Sequence, residues 1–296
     1  MMPLDQNLKG ELKLNEPLAK YTSWRVGGNA QRFYRPTDIE DLANFIRQLP
    51  DNEPLLWLGL GSNLLVRDGG FNGTVIVTAG ALQNIQIDAN EVIAEVGVYC
   101  SKLAKQAAKS GLEGAAFLAG IPGTLGGALA MNAGAHGAET WEFVSEVTTI
   151  DMQGNLHQRQ ATEFDVSYRH VSIPANEYFV AAKLQFAAGD AQAESALIRE
   201  LLRKRNASQP TNQPCAGSVF RNPEGDFAGR LIESSGLKGL SVGGASVSSK
   251  HANFIVNDGN ATAADIENLI YLLQEKIEQM QGVKLIPEVH IIGETA

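Results

Sequence analysis

The chain has 296 residues, a formal net charge of −9 and a sequence pI near 5.1. This length suffices for a substantial core and for two or three lobes. The acidic balance argues against a general nucleic-acid binder or a binder of acidic membranes, because both need a basic face. An anionic ligand would need a local basic pocket.

Cysteine usage and the N-terminus indicate the cellular compartment. Cys100 and Cys215 are the only cysteines, and neither lies in a CxxC or Cys/His cluster. We therefore expect no disulfide framework, no metal site and a reducing compartment. The N-terminus lacks the apolar core of a signal peptide, and no apolar run reaches the roughly 18 residues of a membrane span. These features predict a cytoplasmic protein without a membrane partner.

The predicted elements mix helices and short strands, which is typical of an α+β protein. Thr37 and Glu40 have the spacing of a capping box for a helix over 38–49. Strands are predicted over 55–58, 73–78, 91–98, 146–151 and 178–186. Further helices are predicted over 101–110, over 194–206 and from the cap at Thr262 to Gly282. The segment 283–292 predicts an edge strand interrupted by Pro287.

The first glycine-rich loop, Gly59 to Leu64, follows the apolar run 55–58. A Rossmann fingerprint would need a third glycine where Leu64 stands and a long helix after it, so that type of dinucleotide binding is disfavoured. Ser62 and Asn63 can still present uncharged donors to a diphosphate. A simple Asx or Ser turn explains the loop equally well.

The second glycine-rich stretch, Gly120 to Gly137, has six glycines in eighteen residues, and His136 is its only ionisable side chain. Without Cβ atoms the backbone can adopt positive φ and let a ligand approach its N–H groups. This arrangement suits a nucleotide diphosphate. A tightly packed turn of small residues is the alternative.

Three polar residues stand out from apolar or glycine-rich surroundings: Arg169, Ser218 and Glu288. Arginine can clamp a carboxylate, a serine hydroxyl can transfer a proton, and burial can alter the proton affinity of a glutamate. A surface arginine, a loop serine and a salt-bridged glutamate are the simpler explanations of each taken singly. Ser218 has no G-x-S-x-G elbow, which disfavours a hydrolase.

Basic residues offer two candidate anion sites. The helix over 194–206 ends in Arg203, Lys204 and Arg205, although cations at a helix C-terminus are already favoured by the macrodipole. His251 with Asn253, together with Lys238 and Lys250, could hold the phosphate of a nucleotide sugar, although single basic residues more often lie on a solvated surface.

Nine short motifs occur together in one order. They are residues 21–28 (YTSWRVGG), 61–66 (GSNLLV), 120–128 (GIPGTLGGA), 167–169 (SYR), 217–223 (GSVFRNP), 228–233 (AGRLIE), 236–239 (GLKG), 251–257 (HANFIVN) and 287–289 (PEV). In order and spacing they resemble the UDP-N-acetylenolpyruvoylglucosamine reductase family over nearly the whole chain.

The resemblance implies an FAD-binding fold of the vanillyl-alcohol-oxidase type, built from two α+β subdomains, with a smaller α+β substrate domain. The implied division is residues 1–80 with 286–296 for the first FAD-binding subdomain, 81–188 for the second and 189–285 for the substrate-binding domain. It further implies a cytoplasmic enzyme of bacterial peptidoglycan synthesis, which we expect to be a monomer or a weak oligomer.

The resemblance also implies the chemistry. NADPH would reduce non-covalently bound FAD and leave, and flavin N5 would then deliver hydride to the vinyl CH₂ of the enolpyruvyl substrate. Arg169 and Glu288 match the residues that bind and polarise the substrate carboxylate, and Ser218 matches the acid that protonates C2.

Two further residue sets follow from the same resemblance. The residues implied for FAD are Gly59, Gly61, Ser62, Asn63, Leu64, Gly120, Ile121, Pro122, Gly123, Gly126, Gly127, Asn132 and Gly134. The residues implied for the substrate are Tyr168, Arg169, Gly217, Arg221, Asn222, Lys238, His251 and Asn253. No metal ligand is implied.

One feature departs from the longer members of the family. These members carry an insertion with a tyrosine that covers the substrate, whereas here Phe186 leads almost directly into the helix over 194–206. The chain therefore resembles the shorter type. The cover over the UDP moiety is assigned instead to Arg203 to Arg205, Arg221, Asn222 and His251.

Two other functions compete with the reductase. One is a flavin or sugar-nucleotide binding protein without turnover, and the other is a different oxidase with the same FAD fold. The joint presence of Arg169, Ser218 and Glu288 favours an enzyme, because a binding protein has no chemical need for all three.

Overall fold

The structure is a computed structural model that describes residues 8–50 and 52–296. The chain separates into two compact units. Unit 1 comprises Met1–Lys13, Phe33–Gly59 and Thr74–Arg203, and unit 2 comprises Leu14–Arg32, Leu60–Gly73 and Lys204–Ala296. These units interleave segments of the three predicted domains, and the three-domain division stays a prediction.

The strands are short and distributed along the chain. They are β1 (Glu11–Pro17), β2 (Asn29–Arg35), β3 (Leu55–Leu58), β4 (Leu64–Val66), β5 (Phe71–Val77), β6 (Ile85–Asp88), β7 (Glu91–Glu95), β8 (Leu112–Glu113), β9 (Gly134–Ala135), β10 (Ala138–Glu139), β11 (Val144–Asp151), β12 (Leu156–Gln160), β13 (Val166–Ser167), β14 (His170–Val171), β15 (Glu177–Gln185), β16 (Ala187–Ala188), β17 (Ser241–Val242), β18 (Ala245–Val247), β19 (Ile255–Asn257) and β20 (His290–Ile292).

The helices complete an α+β fold, as predicted. They are α1 (Ile39–Ile46), α2 (Cys100–Lys109), α3 (Leu125–Ala130), α4 (Ala191–Ser208), α5 (Ala228–Ser234) and α6 (Ala263–Gln281). Single 3₁₀ turns occupy Leu18–Tyr21, Ala116–Gly120, Thr140–Glu142 and Ala161–Glu163.

Unit 1 is organised on an antiparallel sheet with the strand order β12-β11-β15-β7-β6. A turn at 151–154 joins β11 to β12, with Gly154 N donating to Asp151 O at 3.0 Å. Strand β3 runs parallel to β5, from the pair Leu55 and Thr74 to the pair Leu58 and Val77. The core of this unit includes the buried faces of α1 and α2.

The start of α1 differs from the predicted capping box. Asp38, rather than Thr37, is the N-cap, and its Oδ1 accepts from Asp41 N at 2.7 Å. The Thr37 N–H donates instead to Asp41 Oδ2 at 3.0 Å. The box was wrong because Asp38 and Asp41 offer the same spacing one residue later, and a carboxylate caps a helix at least as well as a hydroxyl.

Unit 2 has its own core around α6. The predicted cap is confirmed, because Thr262 and Asp265 form a reciprocal capping box and Gly282 ends the helix with φ +70°. Ile266, Leu269, Ile270, Leu273 and Ile277 are buried. Met280, which continues their helical spacing, is 57% exposed because it lies in the last turn.

The C-terminal segment forms less strand than predicted. Only His290–Ile292 is a strand, and it pairs in parallel with Leu64–Val66. Pro287 lies opposite Phe220 in an isolated antiparallel bridge. Because proline has no N–H to donate, the pairing around it stays local.

None of the helices among the described residues has the length and apolar character needed to cross a membrane. Within the same residues, no group of three or more His, Cys, Asp and Glu side chains could hold a metal ion.

Candidate active site

The residues predicted for the site are divided between the two units. Unit 1 holds Gly59, Gly120, Ile121, Pro122, Gly123, Gly126, Gly127, Asn132, Gly134, Tyr168 and Arg169. Unit 2 holds Gly61, Ser62, Asn63, Leu64, Gly217, Ser218, Arg221, Asn222, Lys238, His251, Asn253 and Glu288.

The first half of the glycine-rich stretch in unit 1 is a turn followed by α3. Gly126 N donates to Val96 O at 2.9 Å, and a Cβ at Gly126 would lie 2.9 Å from the Val96 Cβ. A Cβ at Gly120 would lie 2.8 Å from that of Ala135. Close packing therefore explains these two glycines. Gly127 differs, because a Cβ there would meet no heavy atom within 4 Å.

The two glycine-rich segments approach each other within unit 1, at Gly59 and Thr124. A Cβ at Gly59 would lie only 2.4 Å from Thr124 Oγ1. Thr124 is 1% exposed, and its hydroxyl has no hydrogen-bond partner among the described residues. Buried polar atoms are normally hydrogen-bonded, so an unpartnered hydroxyl beside a glycine is compatible with a polar ligand.

A cavity of about 130 Å³ opens beside these residues. Its lining includes Gly59, Gly126, Gly127, Trp57 and Tyr178. The Trp57 and Tyr178 rings are stacked with centroids 5.0 Å apart, and burial raises the pKa of Tyr178. The buried Trp57 Nε1 has no hydrogen-bond partner within the described part of the chain. The cavity thus has aromatic and glycine walls, and the unpartnered Thr124 hydroxyl lies behind one of its lining residues, Gly59.

Arg169 lies in the two-residue turn that joins Ser167 to His170, which pair across β13 and β14. Its φ of +56° is left-handed, which is uncommon for a residue with a side chain. The Arg169 guanidinium lies 4.9 Å from the centroid of the Tyr168 ring. It also donates to Asn132 O at 3.2 Å and to Gly134 O at 3.4 Å. The second half of the glycine-rich stretch therefore holds the arginine through backbone carbonyls.

Glu139 is a member of this cluster that the sequence analysis missed. Its Oε1 lies 3.6 Å from an Arg169 guanidinium nitrogen, and its Oε2 accepts from Asn132 Nδ2 at 2.7 Å. Asn132 is 3% exposed, and its Oδ1 accepts from Trp141 N at 3.1 Å. The Asn132 side chain is thus engaged with protein groups, and its cofactor role stays a prediction. The only sequence signal for Glu139 was a carboxylate just after a stretch without acidic residues.

In unit 2, backbone hydrogen bonds place Ser218 and Glu288 on neighbouring segments. Glu288 N donates to Val219 O at 2.8 Å, and Val219 N donates to Asn253 O at 2.9 Å. This register pairs Glu288 with Val219, so the backbone of Ser218 lies next to that of Glu288. The register alone does not direct the Ser218 hydroxyl at the Glu288 carboxylate.

Asn253 supports this arrangement from within the fold. It is 3% exposed, and its side chain bonds both the N–H and the carbonyl of Phe220. These bonds hold the segment that follows Ser218. Its predicted contact with substrate stays a prediction.

The loop from Leu60 to Leu64 is joined to the same segments of unit 2. Gly217 N donates to Ser62 O at 3.1 Å, and Asn63 Nδ2 donates to Glu288 O at 3.1 Å. Gly61 has φ +57°, and a Cβ there would lie 2.5 Å from Tyr21 O, so only glycine fits this turn. Residues predicted for the cofactor therefore position the backbone of Gly217, predicted for the substrate, and of Glu288, predicted for catalysis.

Several residues of unit 2 predicted to bind phosphate are already engaged with protein groups. Lys238 is ion-paired with Glu233 at 2.6 Å. Burial, and then the charge of Lys238, lowers the pKa of His251, which favours a neutral imidazole. Asn222 Oδ1 accepts from Ala228 N at 3.2 Å, at the start of α5. The Arg205 guanidinium donates to Gln209 Oε1 at 3.1 Å, and burial lowers its pKa. The predicted phosphate contact of Lys238 and the UDP cover predicted for Arg205, Asn222 and His251 stay predictions.

Comparison with known proteins defines first the class of protein. The family described as "FAD binding domain" matches residues 30–159. The family described as "UDP-N-acetylenolpyruvoylglucosamine reductase, C-terminal domain" matches residues 209–292. An FAD-binding fold joined to this C-terminal domain confirms the predicted fold class and defines a flavin-dependent oxidoreductase.

Individual relatives define the family. A UDP-N-acetylenolpyruvoylglucosamine reductase of Alkalilimnicola ehrlichii is 56% identical over 295 residues, which is 99% of either chain. The protein of that name from Coxiella burnetii is 52% identical, covering 97% of either chain. A solved structure of the reductase from Thermus caldophilus superimposes with a TM-score of 0.82 at 33% identity, covering 96% of this chain and 98% of that one. The chain belongs to the UDP-N-acetylenolpyruvoylglucosamine reductase family.

Proposed function

We propose that this chain is a flavoenzyme that uses NADPH to reduce the enolpyruvyl group of UDP-N-acetylglucosamine enolpyruvate. The product is UDP-N-acetylmuramate, a precursor for peptidoglycan synthesis. The observation that carries the proposal is the 56% identity to a reductase of this name over 99% of the chain. Because NADPH is a cytoplasmic reductant, we place the reaction in the cytoplasm. We propose a monomer or a weak oligomer, which sedimentation of the purified protein would test.

FAD fits the residues of unit 1 that combine close backbone with unpartnered polar groups. Thr124 Oγ1 and Trp57 Nε1 are buried without partners among the described residues, Gly59 brings backbone close to the Thr124 hydroxyl, and Gly127 keeps a side chain out of the cavity. In unit 2, the Ser62 and Asn63 side chains are further candidates for the diphosphate. When bound, FAD supplies the hydride that the vinyl CH₂ carbon of the substrate receives.

Arg169 is assigned to the substrate carboxylate. A guanidinium can donate two parallel N–H bonds to a carboxylate, and its charge does not depend on pH in the working range. The Arg169 side chain is 16% exposed, so water screens its charge less than on an open surface. Negative charge on C2 and the carboxylate increases as hydride arrives. Arg169 therefore stabilises the transition state more than the ground state.

Ser218 and Glu288 complete the assignment from unit 2. After hydride addition to the CH₂ carbon, C2 is strongly basic and takes the Ser218 hydroxyl proton, and water then returns a proton to the serine oxygen. A serine hydroxyl is too weak an acid for a less basic acceptor. Glu288 polarises the substrate carboxylate. The result is a CH₃ group and a protonated C2, which is the lactyl ether.

The proposed function is tested first by colour. The purified protein should be yellow, anaerobic NADPH should bleach it, and the enolpyruvyl substrate should restore the colour. A colourless protein that FAD cannot reconstitute would exclude any FAD enzyme. Bleaching without restoration would indicate a different oxidase of the same fold.

Ser218→Ala tests the proton donor. Removing the hydroxyl should leave flavin reduction by NADPH nearly unchanged and slow reoxidation by substrate by about 10²- to 10⁴-fold, the usual contribution of general acid catalysis. Stopped-flow absorbance of the flavin measures both half-reactions. An equal loss in both would contradict the assigned role.

A further inference from the structure

Glu139 lies beside the residue that we assign to the substrate carboxylate. The separation of 3.6 Å between Glu139 Oε1 and the Arg169 nitrogen is longer than a normal hydrogen bond, so the contact acts mainly through charge. The two side chains are 33% and 16% exposed, which weakens screening by water and salt. The carboxylate therefore attracts one side of the guanidinium.

Glu139 is itself held in place at both ends. Its Oε2 accepts from Asn132 Nδ2 at 2.7 Å, and its backbone N–H donates to Glu142 Oε1 at 3.1 Å. Its carboxylate also caps the turn Thr140–Glu142 by accepting from the Glu142 N–H. A carboxylate with this many fixed contacts has little freedom to follow a moving arginine. The Glu139 carboxylate is therefore held at a fixed position beside Arg169.

The backbone on both sides of the contact is constrained as well. Arg169 and Asn132 both have left-handed φ, at +56° and +45°. Backbone of this kind persists only where surrounding contacts require it, and it is concentrated at functional sites. The guanidinium also donates to the carbonyls of Asn132 and Gly134. A buried amide, a carboxylate and two backbone carbonyls thus all help to orient the Arg169 guanidinium.

We infer that Glu139 is a positioning residue for the reduction, acting through Arg169. Held by Asn132 and by the Thr140–Glu142 turn, the Glu139 carboxylate fixes the plane in which the Arg169 guanidinium receives the substrate carboxylate. The inference rests on the proposed function, because it needs a carboxylate substrate at Arg169. Misorientation of a clamp by even a small angle reduces its benefit in the transition state.

The decisive variants are Glu139→Gln, in which the side chain keeps its length and an acceptor oxygen but loses the charge, and the matched control Glu142→Gln. Glu142 lies in the same turn, and its amide oxygen could still accept from the Glu139 N–H. For Glu139→Gln we expect normal FAD content and normal flavin reduction by NADPH. Reoxidation by substrate should slow at least tenfold, and KM for the enolpyruvyl substrate should rise. Glu142→Gln should stay within about twofold of wild type in both half-reactions.

A double-mutant cycle separates action through Arg169 from a general structural effect. In an Arg169→Lys background the planar fork is gone, so Glu139→Gln should slow reoxidation less than twofold further. Full additivity of the two effects would overturn the inference. So would an equal loss in both half-reactions, or unchanged reoxidation in Glu139→Gln.

Two controls keep these outcomes distinct. If Glu139→Gln folds poorly, judged by thermal melting and flavin content, Glu139→Asp keeps the charge and should recover part of the reoxidation rate. No recovery in a folded Asp variant would count against a role for the charge. If the wild-type protein is not reoxidised by the substrate, the proposed function itself fails, and with it any role of Glu139 in that reaction.

Discussion

Gly126 and Gly127 are adjacent in α3, and their replacement by alanine should have opposite effects on the protein without flavin. A Cβ at Gly127 would meet no heavy atom within 4 Å. Alanine there should stabilise the flavin-free protein by about 0.5–1 kcal/mol, because glycine loses more backbone entropy in a helix. A Cβ at Gly126 would lie 2.9 Å from the Val96 Cβ and 3.3 Å from Val96 O, so Gly126→Ala should destabilise it.

The effect of Gly127→Ala on FAD should be unfavourable. Gly127 lines the cavity of about 130 Å³ that we assign to the cofactor, so an added methyl group competes with the ligand for space. Overpacking of this kind costs about 1–3 kcal/mol, which corresponds to roughly 5- to 150-fold weaker FAD binding. The variant should therefore be more stable without flavin and bind flavin less tightly.

Two measurements on flavin-free protein test this prediction. Urea unfolding gives the stability of each variant, and titration with FAD, followed by quenching of flavin fluorescence, gives the affinity. If Gly127→Ala binds FAD as tightly as wild type, the cofactor does not occupy the space beside Gly127. If Gly127→Ala is less stable than wild type without flavin, the added methyl group does not lie in open space, which contradicts the prediction.

Two predictions concern the stability of unit 2. Trp24 is fully buried, and its Nε1 donates to Ile255 O at 2.8 Å. Trp24→Phe leaves that carbonyl unpaired, so it should lower the free energy of unfolding in urea by about 1–3 kcal/mol. A loss below about 0.5 kcal/mol would contradict the role of this bond. Burial lowers the pKa of His251 and of His290, to which the charges of Lys238 and Arg221 respectively contribute. At acidic pH the unfolded chain therefore binds more protons than the folded one. The free energy of unfolding should fall as the pH drops through about 6.5 towards the lower pKa values of the folded state. Replacing both histidines with glutamine should flatten this dependence between about pH 8 and 5.5.

Helices were predictable where their end signals are local and have no competitor. At α6, Asp265 N donates to Thr262 Oγ1 at 3.1 Å and Thr262 N donates to Asp265 Oδ2 at 3.0 Å, as the spacing of three residues predicts. At α1 the same spacing predicts Thr37 as the N-cap, whereas Asp38 forms the cap. Spacing alone cannot decide between two possible capping boxes one residue apart, because the flanking backbone determines which side chain reaches the first turn of the helix.

The chemistry of the site was accessible from sequence only in part. The resemblance to a known family placed Arg169, Ser218 and Glu288, but none of their local patterns indicates what holds them. The contact between Arg169 and Glu139 joins residues 30 positions apart through left-handed backbone at Arg169 and Asn132. Such φ values at non-glycine residues leave no periodic signature in a sequence. Glu139 could therefore be found only once the turns were known.

We propose that the glycine-rich stretch, which composition presents as a single feature, has two functional halves. Gly126 packs against Val96 and Gly127 opens onto the cavity, whereas Asn132 and Gly134 offer carbonyls to Arg169. If this division is correct, Gly127→Ala should weaken flavin binding without altering the reoxidation rate of protein that is saturated with FAD. Glu139→Gln should do the reverse. A single function for the whole stretch requires both variants to change both quantities, so the pair of measurements decides between the two arrangements.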